Sequence, residues 1–242
     1  MKKTMSLTIL SLTYSSLLLA TASTNLVSSF STYTQVREPS ALSFSNDKKT
    51  LYTVSDNNGV VYQLDLTGKV LKEIKTPSSD LEGIVVHQDL GGFCVVEERV
   101  RNVVCYDMNG KEKNRKSINF QGESNSGFEG ITYNPKNKNF YIVNEKKPMM
   151  ILTLDHDLNI INKIEFNQSK DLSDIYYDEE LNKFWLLSHE SKEIYLTDLD
   201  FNIEKTYGIP NIIQAEGISV DSKNKKIFII SDKDSNFSVY NF

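Results

Sequence analysis

Proline is scarce in this chain, at five residues, and no stretch shows the apolar spacing of a long amphipathic helix. With twelve Tyr, twelve Phe and frequent Val, Ile and Thr, that balance favours strands. The two cysteines, Cys94 and Cys105, have no C-x-x-C spacing, which argues against a redox or metal-thiolate role. No G-x-S-x-G, H-E-x-x-H, P-loop or dinucleotide fingerprint occurs, so the familiar nucleophile, zinc and nucleotide signatures are missing. Basic excess is lacking too: the formal charge is −5, and loss of Lys2 and Lys3 would take it to −7. Such a chain is repelled by phosphate backbones, which excludes nucleic acid as a partner and favours metal cations.

What is present is a repeat. Leu81-Glu82-Gly83-Ile84 returns as Phe128-Glu129-Gly130-Ile131 and Ala215-Glu216-Gly217-Ile218, with degenerate copies at Pro39-Ser40-Ala41-Leu42 and Leu172-Ser173-Asp174-Ile175. Successive copies lie 42 to 47 residues apart, the period of a repeat architecture. A second set keeps step: 16 positions after Ser40, Glu82, Glu129, Ser173 and Glu216 stand Asp56, Glu98, Glu145, His189 and Asp232.

Each full repeat reads as four short strands joined by turns, as in Ala41–Phe44, Thr50–Val54, Val60–Leu64 and Val70–Lys75. The fifth repeat has only three, while Phe30–Val36 forms an orphan strand at the start. Joining the two closes a ring with few exposed edges. The expected fold is therefore all-β, a five-bladed propeller of four-stranded antiparallel blades spanning residues 23–242 as one domain. Residues 1–22 read as a signal peptide, with a basic start, an apolar run from Met5 to Leu19 and small residues at Ala20-Thr21-Ala22. An uncleaved anchor is the alternative, against which stand the Ser and Thr interruptions.

Chain direction places the Glu-Gly position just before each innermost strand and the Asp56 set after the second strand, both on one face of the ring. Glu82, Glu129 and Glu216 are expected to converge at the mouth of the central channel, with Ser40 and Ser173 completing the circle. Converging carboxylates either rise in pKa or surround a cation. Oxygen ligands on loops suit Ca²⁺ better than Mg²⁺. The competing reading is that each Glu bonds backbone N–H groups of the next blade, and both can hold. The outer set, Asp56, Glu98, Glu145, His189 and Asp232, reads either as solvated loop residues or as the binding rim. Asp65, Asp107, Asp155 and Asp198, after the third strands, read as turn formers. Asp155-His156-Asp157 begins like a calcium loop, but Ile160 and Phe166 stand where an EF-hand needs Gly and Glu. The fourth repeat departs twice from the others, at Ser173-Asp174 and at His189, which marks it for the specific part of a site. Cys94 and Cys105 fall at opposed positions of consecutive strands, within disulfide reach.

The segments Glu38-Pro39-Ser40-Ala41-Leu42, Leu51-Tyr52-Thr53-Val54-Ser55-Asp56, the run Val61 to Val70, and Asp80-Leu81-Glu82-Gly83-Ile84 resemble the SdiA-regulated (YjiK-like) family of bacterial exported proteins. The resemblance covers about residues 35–242 and implies a five-bladed propeller behind a signal or membrane-proximal N-terminus. Glu-Gly at the start of an innermost strand is also similar to the metal-binding Glu of calcium-dependent gluconolactonase propellers, in that dipeptide alone.

The leading expectation is a non-enzymatic binding propeller, monomeric and exported to the periplasm or beyond, membrane-associated only if its N-terminus is retained. Its partner is a divalent cation, Ca²⁺, or a small ligand at the channel mouth. One alternative is a Ca²⁺-dependent hydrolase of lactones or phosphoesters with His189 or Glu145 moving the proton. Another is a surface adhesin or scaffold using the outer loops.

Overall fold

A computed structural model of the chain describes residues 23–123 and 126–242; the expected signal peptide lies outside the described residues. Five antiparallel sheets follow one another around a central channel, and no α-helix occurs among the described residues. The first blade is Ser43–Phe44, Leu51–Val54, Val60–Leu64 and Val70–Lys75. The second is Leu81–His87, Gly92–Glu97, Asn102–Tyr106 and Glu112–Ser117, and the third is Phe128–Asn134, Asn139–Asn144, Met150–Leu154 and Ile160–Glu165. Asp174–Asp178, Lys183–Ser188, Glu193–Thr197 and Ile203–Gly208 make the fourth. Ala215–Asp221, Lys226–Ser231 and Asn236–Asn241 make three strands of the fifth, and Ser28–Tyr33 supplies its outer strand with Phe30 opposite Val239. The ring closes as the strand count predicts.

Middle strands are buried on both faces, as in Leu51–Val54 and Gly92–Glu97, because each blade packs against two neighbours. Apolar clusters lie mainly between adjacent blades; one joins Tyr52, Val54 and Val61 of blade one to Leu81, Ile84 and Phe93 of blade two. Trp185 is fully buried and stacks on Tyr207. Cys94 faces Cys105 across the second and third strands of blade two, bonded at 1.99 Å.

Three features depart from the sequence reading. Thr24–Asn25 forms a short parallel strand on Tyr207 and Gly208, so the N-terminal segment clasps two adjacent blades and buries Leu26 between them. The orphan strand ends at Tyr33 rather than Val36; Val36 instead enters the core as part of the crossing into blade one. The innermost strand of blade one is extended only at Ser43–Phe44, because Pro39 lacks the N–H for regular pairing and meets Ser55 in a single bridge.

The turn aspartates behave as expected. Asp65 Oδ1 accepts the N–H groups of Thr67 (2.8 Å) and Lys69 (3.1 Å), and Asp107, Asp155 and Asp198 repeat the pattern. Gly68 and Gly110 end two of these turns at positive φ, but Leu158 (φ 61°) and Phe201 (φ 64°) end the others. Burying those two side chains in the inter-blade core offsets the left-handed backbone.

Candidate metal centre

In blades two, three and five the innermost strand begins one residue before the Glu rather than after it. Pairing runs from Leu81 opposite Glu97 to Gly83 opposite Val96, which leaves Glu82 as an extra residue on its strand. Glu129 and Glu216 are left over in the same way. A bulge of this kind turns a side chain away from the normal alternation and is a common device for aiming it. Here it directs three carboxylates into the channel. The following glycines allow the closeness this requires: a Cβ on Gly217 would lie 2.5 Å from the Ala41 carbonyl carbon.

Glu82, Glu129 and Glu216 line one cavity of about 190 Å³. Ser40, Gln214 and the whole outer set, Asp56, Glu98, Glu145, His189 and Asp232, line the same cavity. Ser173 stands behind it, its hydroxyl accepting the His189 N–H at 3.3 Å and hydrogen-bonding Glu216. Asp80, Glu82 and Glu98 each offer a carboxylate oxygen within 4.8 Å of the others. Oδ1 of Asp56 and Oδ1 of Asp232 are buried without a hydrogen-bond partner among the described residues.

The electrostatics follow from burial and crowding. Burial first, then the charges of Glu82, Glu216, Glu98 and Glu145, hold Glu129 well above the usual carboxylate range. Glu82 is raised by burial and by Asp56, Glu98 and Glu216, tempered by a hydrogen bond with Ser40. Burial lifts Glu216 to about 7, opposed by His189, Gln214 and Ser173. Asp56 is pushed up to about 6 by burial and by Glu38 and Asp232. Glu145 Oε1 forms an ion pair with Lys146 Nζ at 2.9 Å.

A family model described as SdiA-regulated matches residues 27–240. The chain belongs to the SdiA-regulated family. Among solved structures, this SdiA-regulated propeller is similar to a Bacteroides caccae protein of unknown function, with TM-score 0.57 and 11% identity over 81% of this chain and 72% of the other. A streptogramin B lyase matches with TM-score 0.54 and 17% identity over 88% and 73% of the two chains. A virginiamycin B lyase from Staphylococcus aureus gives 0.54 and 14% over 84% and 66%. At these identities the likeness shows the fold alone.

The SdiA-regulated chain carries a third repeat-locked set that the sequence reading passed over, two positions before the first: Glu38, Asp80, Gly127, Asp171 and Gln214. Four of the five, Asp80, Gly127, Asp171 and Gln214, partner the outer-set residue of their own blade. Backbone carbonyls of Asp80, Gly127 and Gln214 accept the N–H of Glu98, Glu145 and Asp232, each at 3.0 Å. Gln214 Nε2 donates to Asp232 Oδ2 at 2.9 Å, which leaves Oδ1 free. Asp171, fully buried, receives the Ser188 hydroxyl and the Glu190 N–H and lies 3.3 Å from His189 Nδ1. Those bonds and the His189 charge hold Asp171 below the ordinary range despite its burial, and Asp171 in turn raises His189. Only the spacing marks this set, because its residue types differ.

Asp174, aligned with Gly83, Gly130 and Gly217, marks the floor of the site. Its Oδ2 accepts the Ile218 N–H and its Oδ1 the Ile175 N–H, both at 2.8 Å, with the Leu42 N–H as a third donor. One carboxylate thus ties blade four to blades five and one across the axis, although burial still raises its pKa well above normal. Asp174→Ala should leave these buried donors unpaired and destabilise the protein by roughly 3 kcal/mol or more. Urea unfolding measures it; a loss below about 1 kcal/mol would contradict the tie.

Proposed function

We propose that the protein is an exported binding propeller whose acidic channel mouth holds a divalent cation, Ca²⁺ in particular. The observation that carries this reading is one cavity in which three bulge-borne glutamates meet two buried aspartate oxygens without partners. Carboxylates so crowded need protons or a cation, and a cation satisfies the free oxygens as well. The volume fits the reading: about 190 Å³ accommodates an ion with a few waters, each occupying about 30 Å³. Carboxylates from three to five blades offer the six to eight oxygen ligands that Ca²⁺ takes, in a loose geometry that suits it better than Mg²⁺. Export is supported by the basic-apolar N-terminal sequence and by the Cys94–Cys105 bridge, which belongs to an oxidising compartment.

One observation favours a second reading, the Ca²⁺-dependent hydrolase. Asp171 holds His189 Nδ1, the arrangement that fixes an imidazole tautomer and leaves Nε2 as a base or acid beside the cavity. A lactone and phosphoester panel with calcium separates the two readings. The binding protein gives no turnover; turnover that falls at least about 100-fold in His189→Ala establishes the hydrolase.

A further inference from the structure

The channel has a second mouth. Each innermost strand runs from the acidic face to the opposite one, and there the strands of blades one to four enclose another cavity, of about 170 Å³. Three positions after the Glu or Ser of each repeat stand Ser43, Val85, Thr132, Tyr176 and Ser219, so at this position blade four alone carries an aromatic ring, and Tyr176 lines the cavity. Ser43 and Thr132 are engaged by the next blade, accepting the N–H groups of Val86 and Tyr177 at 3.0 Å. The Tyr176 ring meets Phe44 edge-on at 6.4 Å, and His87 packs on Tyr133 at 5.2 Å, which gives the cavity aromatic walls.

The rim is charged, with opposite signs on opposite sides. Lys48 of blade one and His87 of blade two face Glu180 and Glu179 on the turn of blade four, each pair 3.5 Å apart. Neither pair joins neighbouring blades; both reach across the mouth. At that length and with partly exposed side chains, such pairs contribute little and open at small cost. What they leave is the Lys48 ammonium on one side and the Glu179 and Glu180 carboxylates on the other, over an aromatic chamber. A cavity of about 150 Å³ is known to take a benzene ring, so this one has room for a single ring.

We propose that this second mouth binds a compact zwitterion carrying one ring, of the aromatic α-amino acid class. Its ring packs against Tyr176, its carboxylate meets Lys48, and its ammonium replaces His87 at Glu179. The assignment draws on nothing at the acidic mouth, and Asp174 lies between the two.

The test is saturation-transfer NMR and calorimetry on the folded protein with L-phenylalanine, benzoate and phenethylamine as probes. L-Phenylalanine should bind, with each singly charged analogue at least about tenfold weaker. Lys48→Met and Glu179→Gln should each weaken L-phenylalanine by about tenfold or more, with melting temperature kept, because both rim pairs are worth little to the fold. The Glu82→Gln, Glu129→Gln, Glu216→Gln triple variant should bind it as the parent does. No transfer from L-phenylalanine at millimolar concentration overturns the proposal. So does equal affinity for the analogues, or binding unchanged in both rim variants.

Discussion

Calcium added to the protein at pH 8 should raise its melting temperature by roughly 5–10 °C, and the same addition to the Glu82→Gln, Glu129→Gln, Glu216→Gln variant should leave it unmoved. The size follows from mass action. A ligand that binds only the folded state stabilises it by about 2.7 kcal/mol at a hundredfold excess over Kd, and a domain of this length shifts about 2–4 °C per kcal/mol. Without calcium the order should reverse, with the triple variant melting higher than the parent at pH 8. Three amides in place of three crowded acids remove the repulsion that raises Glu82, Glu129 and Glu216. A parent that melts higher than the variant in the absence of metal would mean that the glutamates serve the fold, each bonded to a neighbouring blade.

The second large effect is on pH. For a carboxyl whose folded pKa is raised, the folded state holds its proton over the interval in which the unfolded chain has lost it. Stability is therefore greatest below the unfolded value and falls as pH rises towards the folded one. For Glu216 that interval runs from 4.5 to about 7, equivalent to about 3 kcal/mol. Glu82, Glu129, Asp56 and Asp232 act in the same direction. His189 adds to the trend, since its pKa is raised and its contribution disappears as pH climbs through the folded value. Asp171 has the opposite sign: its depressed pKa gives stability above its unfolded value that is lost only in acid. The metal-free protein should thus lose several kcal/mol between pH 5 and 8 in urea unfolding, and calcium should restore it. Binding should also release protons at pH 6, and fewer as the pH is raised, read from the buffer dependence of the calorimetric heat. A flat stability profile with buffer-independent heats would contradict the account.

Much of the fold was legible because a propeller repeats its own errors and habits. The lock of 16 residues between Glu82 and Glu98, kept in all five blades, fixed which connections share a face, and the orphan strand showed how the ring closes. Convergence of the glutamates followed from that count. The bulge at Glu82, Glu129 and Glu216 was not legible, because an extra residue breaks the period of two that strand reading relies on. Thr24–Asn25 escaped because two residues carry no periodicity. Asp171 and Gln214 escaped for another reason: Glu38, Asp80, Gly127, Asp171 and Gln214 share a position but not a chemistry, and only counting back from the glutamates aligns them. Asp174 was visible as a departure from glycine, yet sequence alone could not show that its carboxylate accepts the Ile218 N–H of the next blade.

The most direct test of the central claim is anomalous diffraction from a crystal grown with terbium as a calcium mimic. The account predicts one strong peak on the channel axis or just off it towards Glu98, about 2.3–2.6 Å from oxygens of Glu82 and Glu129 or Glu216. A peak only among the outer turn aspartates, or none within reach of those glutamates, would contradict it.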